Sequence, residues 1–293
     1  MAHFTLTPEA KNWIISRKLA GCSADAVVQE LVAAGWQRKI AIDALKIALA
    51  PGAKMDIATS VPTTSKVRTA GADVDRPVPE PNLLNSPLTV DAGDRQVRVL
   101  LAMKQPRIVV FGDLLSAAEC DGLIAEAASR LQRSQTLDPQ KGGEQVDPAR
   151  TSNGMFFTRG ESELTQRIEA RIAKLLNWPV ENGEGLQVLH YEPGAQYEPH
   201  YDYFDPEAPG TPAVLKHGGQ RVASLIMYLS SPERGGATTF SDIGFDVAPQ
   251  RGNAVFFSYS RPHPSTQTMH GGAPVLAGEK WIATKWLRER VFG

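Results

Sequence analysis

Two short stretches of the chain carry residue types and spacings that could do chemistry. The first is His200-Tyr201-Asp202. In an extended strand, residues i and i+2 point to the same face, so an imidazole and a carboxylate would project together and offer one nitrogen and one oxygen ligand. Taken alone the pair is weak, because a His-x-Asp frame at the exposed end of a strand is a common chance occurrence. The second stretch begins at His270 and reaches Lys280 ten residues later. Gly271-Gly272, Pro274 and Ala277-Gly278 between them read as a strand end and a tight turn, which would put His270 and Lys280 on neighbouring strands.

From Lys280 onward, alternation assigns Lys280, Ile282, Thr284 and Trp286 to one face and Trp281, Ala283, Lys285 and Leu287 to the other. A buried ammonium is costly unless paired with an anion. The pattern offers no carboxylate partner for Lys280, so the anion would be a ligand. The competing reading is that this face meets solvent, where lysine usually sits. Taken together the parts are more specific. Two His and one Asp on a β scaffold make a facial triad with open positions, the donor set of non-haem Fe(II) oxygenases. A lysine beside it could hold the far carboxylate of a dicarboxylate.

Composition agrees with such a site and excludes others. The 293 residues hold six His and only two Cys, so a metal would have to be bound by His, Asp or Glu. Charges balance to −1 (31 Lys+Arg against 32 Asp+Glu), which gives no reason to expect a nucleic-acid or anionic-membrane partner. No apolar run reaches transmembrane length, and Met1 to Lys18 lacks the pattern of a secretory signal. The expected compartment is the cytoplasm.

The elements that must position these residues fall into three regions. Residues 1–50 read as three short helices: one started by Thr7-Pro8, one capped by Ser23 with Val27, Val28, Leu31 and Val32 at helical spacing, and one carrying Ile40, Ala44, Leu45, Ile47 and Ala48. This small all-α module resembles a ubiquitin-associated bundle and is a candidate surface for a protein partner. Residues 51–87 contain six prolines and no apolar periodicity, as a linker would. Residues 88–293 read as α+β. Helices are expected over 117–131, after Ser116, and over 162–176. Eight short strands follow, at 186–191, 199–203, 222–229, 237–240, 245–247, 254–259, 265–270 and 280–287. That spacing suits a sandwich or barrel, not a βαβ sheet.

Several motifs within residues 105–290 resemble the catalytic domain of prolyl 4-hydroxylases, most closely the plant and algal type. They include the segments 187–194 (Gln-Val-Leu-His-Tyr-Glu-Pro-Gly), 197–204 (Tyr-Glu-Pro-His-Tyr-Asp-Tyr-Phe) and 217–222 (His-Gly-Gly-Gln-Arg-Val). The same holds for 227–229, 235–238, 252–257 and 278–286, and Arg150-Thr151-Ser152 fits a loop upstream of the barrel. The resemblance implies an α+β fold, a double-stranded β-helix (jelly-roll) with flanking helices. It implies Fe(II) held by His200, Asp202 and His270, with 2-oxoglutarate and O2 as co-substrates and ascorbate as a candidate accessory reductant. Lys280 would pair with the distal carboxylate of 2-oxoglutarate, with Tyr191, Thr284 and Tyr228 as further contacts. Tyr197, Arg221 and Trp286 would line the substrate site. The implied reaction hydroxylates a proline at the 4-position in a peptide or protein and yields succinate and CO2. A free amino acid or small metabolite is an alternative substrate, and a partner-binding protein with a degenerate jelly-roll is an alternative of another class. His3, His190, His217 and His263 are expected to stand outside the metal site. Asn253, where many relatives carry Asp, is expected to be structural.

Overall fold

The structure, a computed structural model, describes residues 11, 14–15, 17–18, 23–33, 38–49, 76–137, 144–146 and 149–293. The chain divides into two compact units, Met1–Ala72 and Asp73–Gly293.

In the first unit, Ser23 starts helix α1 (Ala24–Ala33), its hydroxyl accepting the Ala26 N–H at 3.1 Å. Helix α2 spans Arg38–Ala48. Val27, Val28 and Leu31 of α1 pack with Ala41, Ala44 and Ala48 of α2 and with Ile14. Alanines at i, i+3 and i+7 present a flat stripe that lets a neighbouring helix come close. The expected helix start at Thr7-Pro8 lies outside the described residues, although Lys11, Ile14, Ile15, Arg17 and Lys18 are helical.

The second unit begins before the expected boundary at residue 88. The Arg76 N–H donates to the Ser260 carbonyl at 3.0 Å, and its guanidinium pairs with Glu289 at 2.9 Å. The Glu80 N–H donates to the Leu176 carbonyl at 2.9 Å, its carboxylate pairs with Arg107, and Pro79 and Pro81 are buried. Residues 51–75 of the expected linker lie outside the described residues, and over 76–87 proline-rich composition does not distinguish a free linker from one docked along a domain.

The strands are β1 (Thr89–Asp91), β2 (Gln96–Met103), β3 (Arg107–Gly112), β4 (Gln132–Arg133), β5 (Gln135–Leu137), β6 (Glu144–Val146), β7 (Asn153–Phe156), β8 (Gln187–Tyr191) and β9 (Tyr197–His200). They continue with β10 (Arg221–Tyr228), β11 (Arg234–Gly235), β12 (Thr238–Phe240), β13 (Phe245–Val247), β14 (Ala254–Ser258), β15 (His270–Gly272), β16 (Val275–Ala277) and β17 (Lys280–Arg288). Nine form one antiparallel sheet in the order β1-β2-β3-β14-β10-β17-β8-β7-β4, and four form a smaller sheet, β13-β12-β15-β9. This is the jelly-roll expected from the sequence, with two differences. Seven strands precede residue 186, where the sequence pattern suggests none. The expected strand 265–270 is a 3-10 turn (Pro264–Thr266), and pairing starts only at His270.

Strand alternation divides the interior into two cores. Ala223, Leu225 and Met227 of β10, Ala254 and Phe256 of β14, and Ala283 and Leu287 of β17 meet the helices α3 (Ala117–Ala128) and α4 (Glu163–Leu176). Ile226 and Tyr228, Val255 and Phe257, and Ile282 point the other way, toward Phe240 and Val247 of the smaller sheet. Both helices open with capping boxes, Ser116 with Glu119 and Ser162 with Thr165. On the helix side of β17, the buried Lys285 donates to Glu169 of α4 at 2.5 Å. Removing one partner of such a pair strands a charge in the core. Glu169→Ala is therefore expected to lower unfolding free energy by about 3–5 kcal/mol. The apolar double replacement Glu169→Leu/Lys285→Met should recover most of it. Urea denaturation of wild type and the two variants checks this.

Candidate active site

Strands β9 and β15 pair with His200 directly opposite His270. Asp202 does not share that strand. β9 stops at His200, and the chain bends so that the Asp202 carboxylate turns back between the imidazoles. Its Oδ1 lies 3.6 Å from His200 Nε2 and its Oδ2 lies 3.4 Å from His270 Nε2. One ligand atom from each residue falls within 4.8 Å of the others, and this is the one such metal-capable group among the described residues. His200 Nδ1 sits 2.9 Å from the Glu198 carbonyl and His270 Nδ1 sits 3.0 Å from the Thr268 carbonyl. A carbonyl can only accept, so each Nδ1 carries a proton, and Nε2 is the ring nitrogen that faces Asp202. Burial pushes His270 down to about 4, which keeps it neutral. Burial alone would raise the Asp202 carboxyl, but His270, which gains its charge in the acid range where a carboxyl titrates, together with His200 and Arg221, outweighs it and holds the group well below the carboxylate range. Two imidazole Nε2 atoms and a carboxylate converging on one point are a donor set for a divalent cation.

The alternation expected along β17 is observed, and the solvent-facing reading of Lys280 is overturned. Lys280 is 2% exposed. Its Nζ lies 5.2 Å from the centre of the Tyr191 ring, and no carboxylate among the described residues pairs with it. Burial lowers its pKa to about 8. Lys280 and His270 are not on neighbouring strands of one sheet, as the turn between them suggests. β17 belongs to the large sheet and β15 to the small one, so the two side chains reach the interior from opposing sheets. They line a narrow cavity of about 40 Å³ together with Tyr191, Thr284, Thr238, Arg150, Tyr197 and Trp286. Leu189, Ile226 and Ile282 supply its apolar walls. Tyr228, expected as a further donor there, is not among the lining side chains. Its hydroxyl donates to Thr238 Oγ1 at 2.8 Å, so it braces a wall from behind.

A groove of about 1450 Å³ adjoins this cavity and shares Arg150, Tyr197, His200, Asp202 and Trp286 with it. The Tyr197 ring stacks on His200 at 3.8 Å between centroids. Arg221 does not reach freely into the groove, as a substrate arm would. It is clamped by Glu184 at 2.7 and 2.8 Å, with its guanidinium 3.9 Å from the centre of the Trp286 ring and 5.0 Å from Phe204. Glu184 also accepts from Arg288 at 2.9 Å. Tyr197, Arg221 and Trp286 are thus brought together as expected, in a stacked and ion-paired wall. Sequence reasoning missed Glu184 and Phe204. Glu184 pairs across 37 positions with nothing local to mark it, whereas Phe204 sits two residues after Asp202 and could have been suspected from that. Arg150, noticed only within its motif, donates to Gln187 at 2.8 Å beneath Tyr197.

The remaining histidines stand apart from the cluster. His190 stacks on Trp281 at 4.2 Å and meets Glu279, His263 caps the 3-10 turn, and His217 borders the outer groove. His3 lies outside the described residues. Asn253 has the structural role expected of it, accepting the Asp113 N–H and donating to Gln250.

A jelly-roll with a His-Asp-His cluster beside a pocket holding a buried lysine defines an iron oxygenase dependent on a dicarboxylate. In agreement, a family model of the 2OG-Fe(II) oxygenase superfamily matches residues 186–288. The chain is 39% identical to prolyl 4-hydroxylase 5 of Arabidopsis thaliana over 68% of its own length and 74% of that protein. It is 43% identical to prolyl 4-hydroxylase 1 of the same organism, over 63% and 70%. Among solved structures it is similar to the viral collagen prolyl hydroxylase of Paramecium Bursaria Chlorella virus-1 in complex with 2OG, at 32% identity over 62% of this chain and 95% of that one, with a TM-score of 0.48. The chain belongs to the prolyl 4-hydroxylase family within the 2OG-Fe(II) oxygenases. It is a 2-oxoglutarate-dependent dioxygenase that uses Fe(II), 2-oxoglutarate and O2.

The unpaired ammonium has a cost measurable without any ligand. Lys280 has a folded pKa near 8, below its unfolded value, so the unfolded chain holds the proton more tightly between those limits. The penalty is full below about pH 8 and shrinks as pH rises toward 10. Lys280→Met is expected to stabilise the ligand-free protein by up to about 3 kcal/mol at pH 7, with the gain fading above pH 8. Thermal melts across pH check both the sign and the window.

Proposed function

We propose that this chain hydroxylates a proline within a peptide or protein, with His200, Asp202 and His270 holding Fe(II). The observation that carries the reading is the position of the cluster, where a narrow cavity that holds a buried, unpaired ammonium meets a larger groove walled by aromatic rings. When bound, iron with O2 supplies the oxidising chemistry, turning 2-oxoglutarate into succinate and CO2 and delivering one oxygen atom to a substrate C–H. The protein's own part is placement and exclusion of water. Lys280 would take the distal carboxylate, because an incoming anion restores the charged form that burial disfavours. Tyr191 and Thr284 would fix the co-substrate from the side, and the apolar walls keep bulk water from the reacting atoms.

On the groove side, Tyr197, Trp286 and the clamped Arg221 would cradle the proline ring. A saturated five-membered ring has no hydrogen-bond donor to read, so flat aromatic and guanidinium surfaces suit it. The groove's size favours a chain over a free amino acid, because small-molecule pockets run to roughly 300–1,000 Å³. The helical unit at the N-terminus would meet a separate protein partner. The intact cluster and the buried Lys280 give no support to a degenerate binding protein.

His200→Ala is expected to abolish stoichiometric Fe(II) binding and succinate formation together. Retention of full iron-dependent turnover in that variant would overturn the ligand assignment. Lys280→Ala should raise the KM for 2-oxoglutarate at least tenfold while leaving Fe(II) binding near the wild-type value, as measured by succinate release and metal titration. Arg221→Ala should lower peptide hydroxylation more than uncoupled succinate formation, and equal loss of both would remove Arg221 from the substrate wall. Mass spectrometry of proline peptides and of free amino acids, each incubated with Fe(II), 2-oxoglutarate and O2, decides the substrate class by a one-oxygen gain.

A further inference from the structure

Strand β10 is almost wholly apolar, yet Ser224 lies at its centre, fully buried. A buried hydroxyl costs free energy unless it is bonded. Ser224 Oγ donates to Asp202 Oδ2 at 2.5 Å and lies 3.0 Å from the hydroxyl of Tyr259, which is also buried. A serine has one proton, and the carboxylate takes it. The Tyr259 hydroxyl must therefore be the donor in the second bond, which fixes the direction of the chain: Tyr259 to Ser224 to Asp202. Tyr259 is itself held in place. It directly follows β14, its N–H donates to the Val222 carbonyl at 2.9 Å, and its ring meets Tyr203 edge-on at 6.1 Å.

We propose that Tyr259 is a positioning residue that, through Ser224, orients the Asp202 carboxylate and keeps its Oδ2 occupied, so that Asp202 offers the metal a single oxygen. This rests on the reading of Asp202 as an iron ligand. Its consequence is a count. A carboxylate binding through both oxygens would fill a position that the co-substrate and O2 need, whereas one already accepting a short hydrogen bond on Oδ2 is held back from doing so. Asp202 leaves the strand at His200 and sits in a bend, so strand geometry alone does not orient it. The hydrogen-bond chain supplies that orientation from the large sheet.

The test uses the full chain freed of metal, titrated with Co(II) by calorimetry, with visible spectra of the bound metal recorded for wild type, Ser224→Ala, Tyr259→Phe, the double variant and Ser224→Thr. Ser224→Ala is expected to weaken Co(II) binding roughly tenfold and Tyr259→Phe about threefold, each shifting the Co(II) absorption bands. Because Tyr259 acts through Ser224, the double variant should be no weaker than Ser224→Ala. Ser224→Thr keeps the hydroxyl and should keep wild-type affinity and spectrum. Multiplied losses in the double variant, or an unchanged affinity and spectrum in Tyr259→Phe, overturn the proposal. So does a Tyr259→Phe whose only change is a lower melting temperature. If wild type itself binds no stoichiometric Co(II), the iron reading falls with it, and the two failures are thereby distinguished.

Discussion

The strict alternation of side chains along β17 is the constraint on which the rest of the enzyme unit depends. The strand lies between β10 and β8 in the large sheet, with side chains entering two different interiors. Two lysines five residues apart land on opposite faces. Lys285 points to the helices and finds Glu169, while Lys280 points between the sheets and finds no carboxylate among the described residues. A register slip of one residue would exchange them, placing the paired ammonium in the cavity and the unpaired one against α4. The two cores hold the register against that slip. Ala283 and Leu287 fill one, Ile282 fills the other, and Thr284 and Trp286 line the cavity.

Much of this was legible in the sequence because it depends on a period of two. The faces of β17 follow from alternation alone, and so does the exclusion of cysteine chemistry from a count. His200 and Asp202 converge as expected, but for a different reason. The expected strand face ends at His200, and the carboxylate returns through a bend supported by Ser224. What the sequence hides is pairing across distance. Glu184 meets Arg221 and Arg288, and Ser224 meets Asp202 and Tyr259, at separations no local pattern encodes. The docking of residues 76–87 was hidden for the same reason, since composition reports stiffness and extension but not contact.

The groove wall shows how a charged side chain can serve as a surface. Arg221 is partly buried, doubly bonded to Glu184 and layered between Trp286 and Phe204. Burial would lower its pKa, but Glu184 more than offsets this, so the guanidinium stays charged and fixed. A ligand meeting this wall meets a rigid plane, and little side-chain entropy is lost when it binds.

The pairing of His200 with His270 has a mechanical consequence. The β9–β15 ladder is short, with two register pairs and a shift between them, and β9 is an edge strand of the small sheet. Few backbone bonds close the long excursion of chain from position 200 to position 270. A cation held across that ladder would act as a rivet at a short seam of the barrel, and its binding energy would add directly to the stability of the folded state. Loss of iron would thus be felt first as local opening at that edge, where backbone amides exchange with solvent, well before the helices or the large sheet give way.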